Sequence, residues 1–216
     1  MNPEIESTNS IAAGQLHLSC RFTAALDYAR TLHIERRKGT EIPYMAHLLG
    51  VASLVMGEAG QVGFPVTEDM VIAALLHDAA EDHGGLLRLK DIGHNFGSNV
   101  ARMVDGLSDS LSEDSANKQS WQERKEAYIA RLRDEPADIQ LVSAADKLYN
   151  ARAILEDYRK IGPRVWQRFK RGRMEQIWYF DQLLAVFKSS SVNRIVEELV
   201  RVVNELREIS AQEEHR

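Results

Sequence analysis

Apolar residues recur at three- and four-residue spacing along most of the chain, and the period-two alternation of a half-buried strand is nearly absent. The pattern predicts an all-α fold. Phe22, Leu26, Tyr28, Ala29 and Leu32 mark one face of a first helix, and the run from Arg37 through Gly39 to Pro43 reads as the loop after it. A second helix is expected over 44–59 and a third over 68–82, the latter opened by Thr67 as N-cap and stopped at Gly84-Gly85. Shorter helices follow over 86–96 and 99–107, and the polar stretch 108–119 reads as an exposed, mobile loop. Beyond it come helices over 121–133, from 137 to the Gly162-Pro163 break, over 164–187 and over 191–206. The last has Ile195, Val196, Leu199, Val200, Val203 and Leu206 on one face.

The 216 residues suffice for one domain with a substantial core. Residues 20–189 are expected to form a compact single-domain helical bundle. A tail, 1–19, precedes it, and an amphipathic helix within 190–216 packs on it. With 44% hydrophobic and 27% charged residues, the composition is that of an ordinary globular chain. The net charge of −5, with Lys and Arg scattered among acids, argues against a nucleic-acid-binding surface. A single cysteine, Cys20, excludes an internal disulfide and fits a reducing cytoplasm. Neither a secretory leader nor an apolar run long enough to cross a membrane is seen, so no membrane partner is expected.

Four ionisable residues, His77, Asp78, Glu81 and Asp82, enter a segment otherwise apolar enough to be a core helix. Buried charge needs a partner. On one continuous helix the spacings 77/81, 78/82 and 78/81 would gather all four on one patch, which a divalent cation would neutralise. His47 and Asp146 are likewise polar groups within apolar helical runs. Two imidazoles and two carboxylates without sulfur suit Mn²⁺, Fe²⁺ or Zn²⁺, with Mg²⁺ also possible, and a water held there becomes a nucleophile near neutral pH. A small anionic substrate would need local cations. Candidates are Arg36, Arg37 and Lys38, and the helix carrying Lys147 and Arg152.

The series His47, His77-Asp78, Asp146 resembles the H…HD…D signature of the HD-domain metal-dependent phosphohydrolases. Three blocks are similar to the (p)ppGpp 3′-pyrophosphohydrolases, the hydrolase domain of RelA/SpoT-type enzymes and their small stand-alone relatives. They are Arg36-Arg37-Lys38 leading to Pro43-Tyr44 and His47, Leu75 to Asp82, and Ala145 to Arg152. The similarity spans roughly residues 20 to 187. It implies a helical fold, a divalent metal, commonly Mn²⁺, on His47, His77, Asp78 and Asp146, and a water oriented and deprotonated by Glu81 and Asp82. It also implies Arg37 and Lys38 against base and phosphates, Lys147 offsetting substrate charge and Asn150 on the nucleotide sugar. The substrate would be ppGpp or pppGpp, and with no room for a synthetase domain the activity would be hydrolysis alone. His83 and Ala153 depart from the family pattern, where a Thr and a Thr or Asp are frequent, which keeps open another nucleotide or phosphomonoester as substrate. A binding module that lost turnover is the alternative outside catalysis.

Overall fold

Ser19 opens the first helix, α1 (Cys20–Leu32), by accepting the Arg21 N–H on its hydroxyl, and Glu68 holds both the Ser19 N–H and its hydroxyl. The computed structural model describes residues 15–111, 120–190 and 193–211. Residues 1–14 of the expected tail, 112–119 of the expected loop and the first two positions of the expected last helix lie outside them. The remaining helices are α2 (Met45–Gly57), α3 (Glu68–Leu76), α4 (Ala79–Asp82), α5 (Gly85–Phe96), α6 (Ser98–Leu107), α7 (Trp121–Asp134), α8 (Ala137–Ile161), α9 (Arg173–Ser190) and α10 (Arg194–Ala211). A 3-10 helix, Gly162–Arg168, joins α8 to the segment before α9. Among the described residues the only extended pairing is an isolated bridge between Arg36 and Pro43. The all-α expectation holds.

The core is organised around α3 and α8. Met70 through Leu76 are all buried, so α3 is apolar on every side, and it packs on α1, α2, α6 and α8. A helix of that kind belongs to a protein centre, not to a surface. The 25-residue α8 is the long rod against which α2, α6, α9 and α10 are laid. α10 buries Ile195, Val196, Leu199, Val203 and Leu206, each contributing about 1.5–3 kcal/mol by leaving water. α2 approaches α8 unusually closely at Gly50, where an added Cβ would fall 2.0 Å from the Tyr149 ring. The two strips of chain carrying His47 and Asp146 are thereby drawn together.

Three expectations need correction. The helix read over 68–82 is two pieces, with His77 and Asp78 at the junction and Asp78 acting as N-cap of α4. The His77 Nδ1–H donates to the Ala74 carbonyl at 2.8 Å and so competes for the acceptor that the Asp78 N–H would use in a continuous helix. The helix read over 164–187 begins instead at Arg173. Val165 and Trp166 are packed inward from the 3-10 helix, and Arg168 is tied back to Asp157 on α8. Finally, the stretch 108–119 is not exposed at its start. Ser108 is buried, and Asp109 is held by Arg124 at 3.1 Å and Lys125 at 2.6 Å.

Candidate metal centre

Helix α2 supplies His47, the α3–α4 junction supplies His77 and Asp78, and α8 supplies Asp146. The two imidazole Nε2 atoms lie 3.2 Å apart. The Asp78 Oδ2 stands 3.0 Å from the Nε2 of His77 and 3.5 Å from that of His47. Asp146 Oδ1 lies 3.3 Å from the His47 nitrogen and 3.6 Å from the His77 nitrogen. Donors sharing one ion at about 2.1 Å sit roughly 3–3.4 Å from their neighbours, so the pairs involving the imidazoles have the separations of a common coordination shell. His77, His47 and Asp146 are buried, while Asp78 reaches the cavity. Because His77 spends its Nδ1–H on Ala74, its Nε2 is the ring atom that faces the cluster, and its lone pair is available to a cation once that nitrogen is deprotonated. Two buried nitrogens facing one another, flanked by two carboxylates, form a donor set that fits a divalent cation.

The supporting shell fixes each carboxylate. Tyr44 donates its hydroxyl to Asp78 Oδ2 at 2.6 Å. Asn150, one turn beyond Asp146, donates to Asp146 Oδ1 at 2.6 Å and accepts from Arg37 at 2.6 Å, while Lys147 holds the other oxygen of Asp146 at 2.5 Å. The protonation pattern follows from this crowding. Burial alone would lower His77, but Asp78 and Asp146 outweigh it and hold the imidazole well above its usual range. Burial dominates at His47 and lowers it. Burial would raise both carboxylates, yet His77 and His47 beside Asp78, and Lys147 with the same imidazoles beside Asp146, keep them below the ordinary carboxylate range. With no cation present, the two carboxylates favour the protonated form of His77.

The cluster forms the wall of a polar cavity of about 180 Å³, and Glu81 lines it too. The backbone N–H of Asp109 donates to Glu81 Oε2 at 2.8 Å. Burial in the cavity and the Asp109 carboxylate raise the Glu81 carboxyl above its usual value. Asp82 does not line this cavity. It is exposed to solvent, and desolvation, then Asp78, Glu81 and Glu35, push its carboxyl up to about 7. The single patch expected from one continuous helix is therefore divided by the break at residue 78.

A second cavity of about 370 Å³ adjoins the first, and Arg37, Tyr44, Lys125, Lys147, Asn150 and Tyr179 line both. Its wall includes Tyr149, Phe169, Ile154 and Ala153, and Lys38 and Arg168 add cations. Arg37 lies over the rings of Tyr44 and Tyr149 at 5.7 and 5.9 Å. Two of the cations read from the sequence are spent elsewhere. Arg36 pairs with Glu41, and Arg152 pairs with Glu198 on α10. Lys125 is a cavity cation that sequence reading missed, since in the charge-rich run Gln122-Glu123-Arg124-Lys125-Glu126 it looks like an ordinary solvated side chain. Tyr44 lies in the segment leading to His47, and its contact with Asp78 cannot be seen from spacing.

The model for the HD domain matches residues 25–177. The human guanosine-3′,5′-bis(diphosphate) 3′-pyrophosphohydrolase MESH1 is 32% identical over 181 residues, which cover 82% of this chain and 89% of that protein. A solved metazoan structure, described as an ortholog of SpoT that hydrolyzes ppGpp and plays a role in starvation responses, superposes with a TM-score of 0.68. It covers 88% of this chain and 97% of that one, and at 24% identity the likeness speaks to the fold. The lmo0812 protein of Listeria monocytogenes aligns with a TM-score of 0.61 at 30% identity, over 74% of this chain and 97% of its own. With the family match over most of the sequence and the H…HD…D residues gathered at one point of an all-α fold, the chain belongs to the HD-domain family.

Proposed function

We propose that this chain is a metal-dependent phosphohydrolase that removes the 3′-pyrophosphate of ppGpp or pppGpp, releasing pyrophosphate and GDP or GTP. The observation that carries the reading is a pair of adjoining cavities that share six lining residues. The four-donor cluster and Glu81 line the smaller, polar one, and Arg37, Lys38, Lys125 and Arg168 edge the larger, aromatic one. Reactive phosphorus at the four-donor cluster, with base and remaining phosphates in the larger cavity, suits a guanosine polyphosphate. The names of the pyrophosphohydrolase relatives, whose length the chain largely spans, support the same substrate.

His47, His77, Asp78 and Asp146 are assigned to hold the metal, and Mn²⁺ is the ion we assign to this sulfur-free set. When bound, the ion supplies Lewis-acid polarisation of a phosphoryl oxygen and lowers the pKa of water. Glu81, with one oxygen fixed by the Asp109 N–H, takes a proton from the attacking water as its oxygen bonds to phosphorus. The bond from phosphorus to the 3′-oxygen breaks, and the proton taken up by Glu81 is returned to that oxygen through solvent, which restores the Glu81 carboxylate. Asp82 is assigned to orient the water. Arg37, Lys38 and Lys147 offset substrate charge, and Asn150, already bridging Arg37 to Asp146, presents its amide toward the nucleotide sugar.

A second reading, an HD-family phosphatase for a different nucleotide, is favoured by one observation. Ala153, smaller than the Thr or Asp frequent in the resembling enzymes, lines the larger cavity. Incubation of the purified protein with Mn²⁺ and a panel containing ppGpp, pppGpp and other nucleotides tests both. Pyrophosphate and GDP from ppGpp support the proposal. Cleavage of another nucleotide without pyrophosphate release from ppGpp rejects it.

A further inference from the structure

A second cluster of metal-ligating side chains lies outside the centre described above. His33 follows α1, Glu35 stands two residues on, and His83 closes α4. One ligand atom from each of the three falls within 4.8 Å of the other two. Glu35 Oε1 is 2.8 Å from His33 Nδ1 and 3.7 Å from His83 Nε2, and the two rings meet edge to face with centroids 4.6 Å apart. His33 is fully buried at its side chain, whereas Glu35 and His83 keep 39% and 30% exposure, so an ion could enter from solvent.

A simple histidine–carboxylate hydrogen bond accounts for the His33–Glu35 contact but leaves His83 unexplained. Its Nε2 is buried with no hydrogen-bond partner and points to Glu35 from a distance too long for such a bond. Buried ring nitrogens are normally paired. We propose that His33, Glu35 and His83 form a second divalent-cation site, with Zn²⁺ as the ion class. Two imidazoles and a carboxylate match its preference, and solvent fills the open position. The site lies across the Tyr44 ring from the first centre. That ring stacks on His33 at 5.0 Å, and its hydroxyl is bonded to Asp78. His83, one of the two departures from the resembling pattern, thereby acquires a role.

The inference is independent of the hydrolase reading. Chelator-stripped protein is loaded with Zn²⁺, desalted and measured by elemental analysis, beside His83→Ala and Glu35→Gln, with circular dichroism confirming unchanged helicity. The wild type should hold one equivalent more than either variant, and titration should show the corresponding binding step lost or weakened more than tenfold. Glu35→Gln, in a partly exposed connecting segment, keeps the test intact if His83→Ala disturbs the end of α4. Equal stoichiometry and equal affinity in the wild type and both variants overturn the second site. Asp78→Ala in the same series reports on the other centre. Its failure to lose metal would count against that centre and leave this one standing.

Discussion

Asp78 accepts the Tyr44 hydroxyl and faces both imidazoles with its carboxylate, while its backbone occupies the N-cap position where α3 breaks into α4. Asp78→Ala is expected to abolish metal at the four-donor centre while leaving helicity intact. Metal analysis after loading with Mn²⁺, together with circular dichroism, checks this, and full retention of that ion would remove Asp78 from the centre. Tyr44→Phe removes only the hydroxyl that orients Asp78, and it should weaken metal binding about 10- to 100-fold, measurable by titration calorimetry. Glu81→Gln leaves the four donors in place. Its kcat should fall about 10²- to 10⁴-fold with metal content unchanged, the signature of a lost proton acceptor. The four proposed metal donors stood out in the sequence because charge inside an apolar run is conspicuous. Tyr44 and Lys125 did not, because an amphipathic tyrosine and a lysine in a charged helix look ordinary until tertiary contacts give them partners.

The elements themselves were largely readable. α5, α6 and α7 start and stop within one residue of the positions set by caps, glycines and apolar spacing, while α10 is displaced toward the C-terminus, at Arg194–Ala211 against the expected 191–206. The α3–α4 junction was hidden because α3 is buried on every side, which erases the amphipathic stripe that would have shown a change of register. The 3-10 segment was hidden for a different reason. The Gly162-Pro163 signal marks a stop but does not say that Val165 and Trp166 will be folded back onto α8 before α9 begins. Gly50 shows how close packing of two elements serves the site. A methyl group there would drive into Tyr149, whose ring lies 5.1 Å from that of His47. Gly50→Ala should destabilise the fold by about 1–3 kcal/mol in denaturant titration, since a packed helix pair cannot widen freely. It should weaken metal binding as well, by displacing the Tyr149 ring from His47. Unchanged stability would mean that the α2–α8 contact yields more easily than the geometry indicates.

Across the whole molecule, a modest net charge of −5 conceals an uneven distribution within the site. Asp78, Glu81, Asp109 and Asp146 line the metal end, Arg37, Lys125 and Lys147 line both cavities, and Lys38 and Arg168 face the larger one. The acids of the metal end keep His77 protonated when no ion is present. Metal uptake at neutral pH must therefore expel that proton, and affinity should fall about tenfold for each pH unit of acidification while one proton is displaced. Calorimetry in buffers of different ionisation enthalpy would detect the release. A pH-independent affinity would contradict it. The most direct test of the central claim is an anomalous diffraction map from crystals loaded with Mn²⁺. The account predicts a peak within coordination distance of His47 Nε2, His77 Nε2, Asp78 and Asp146, and a map with no density among those four side chains would contradict it.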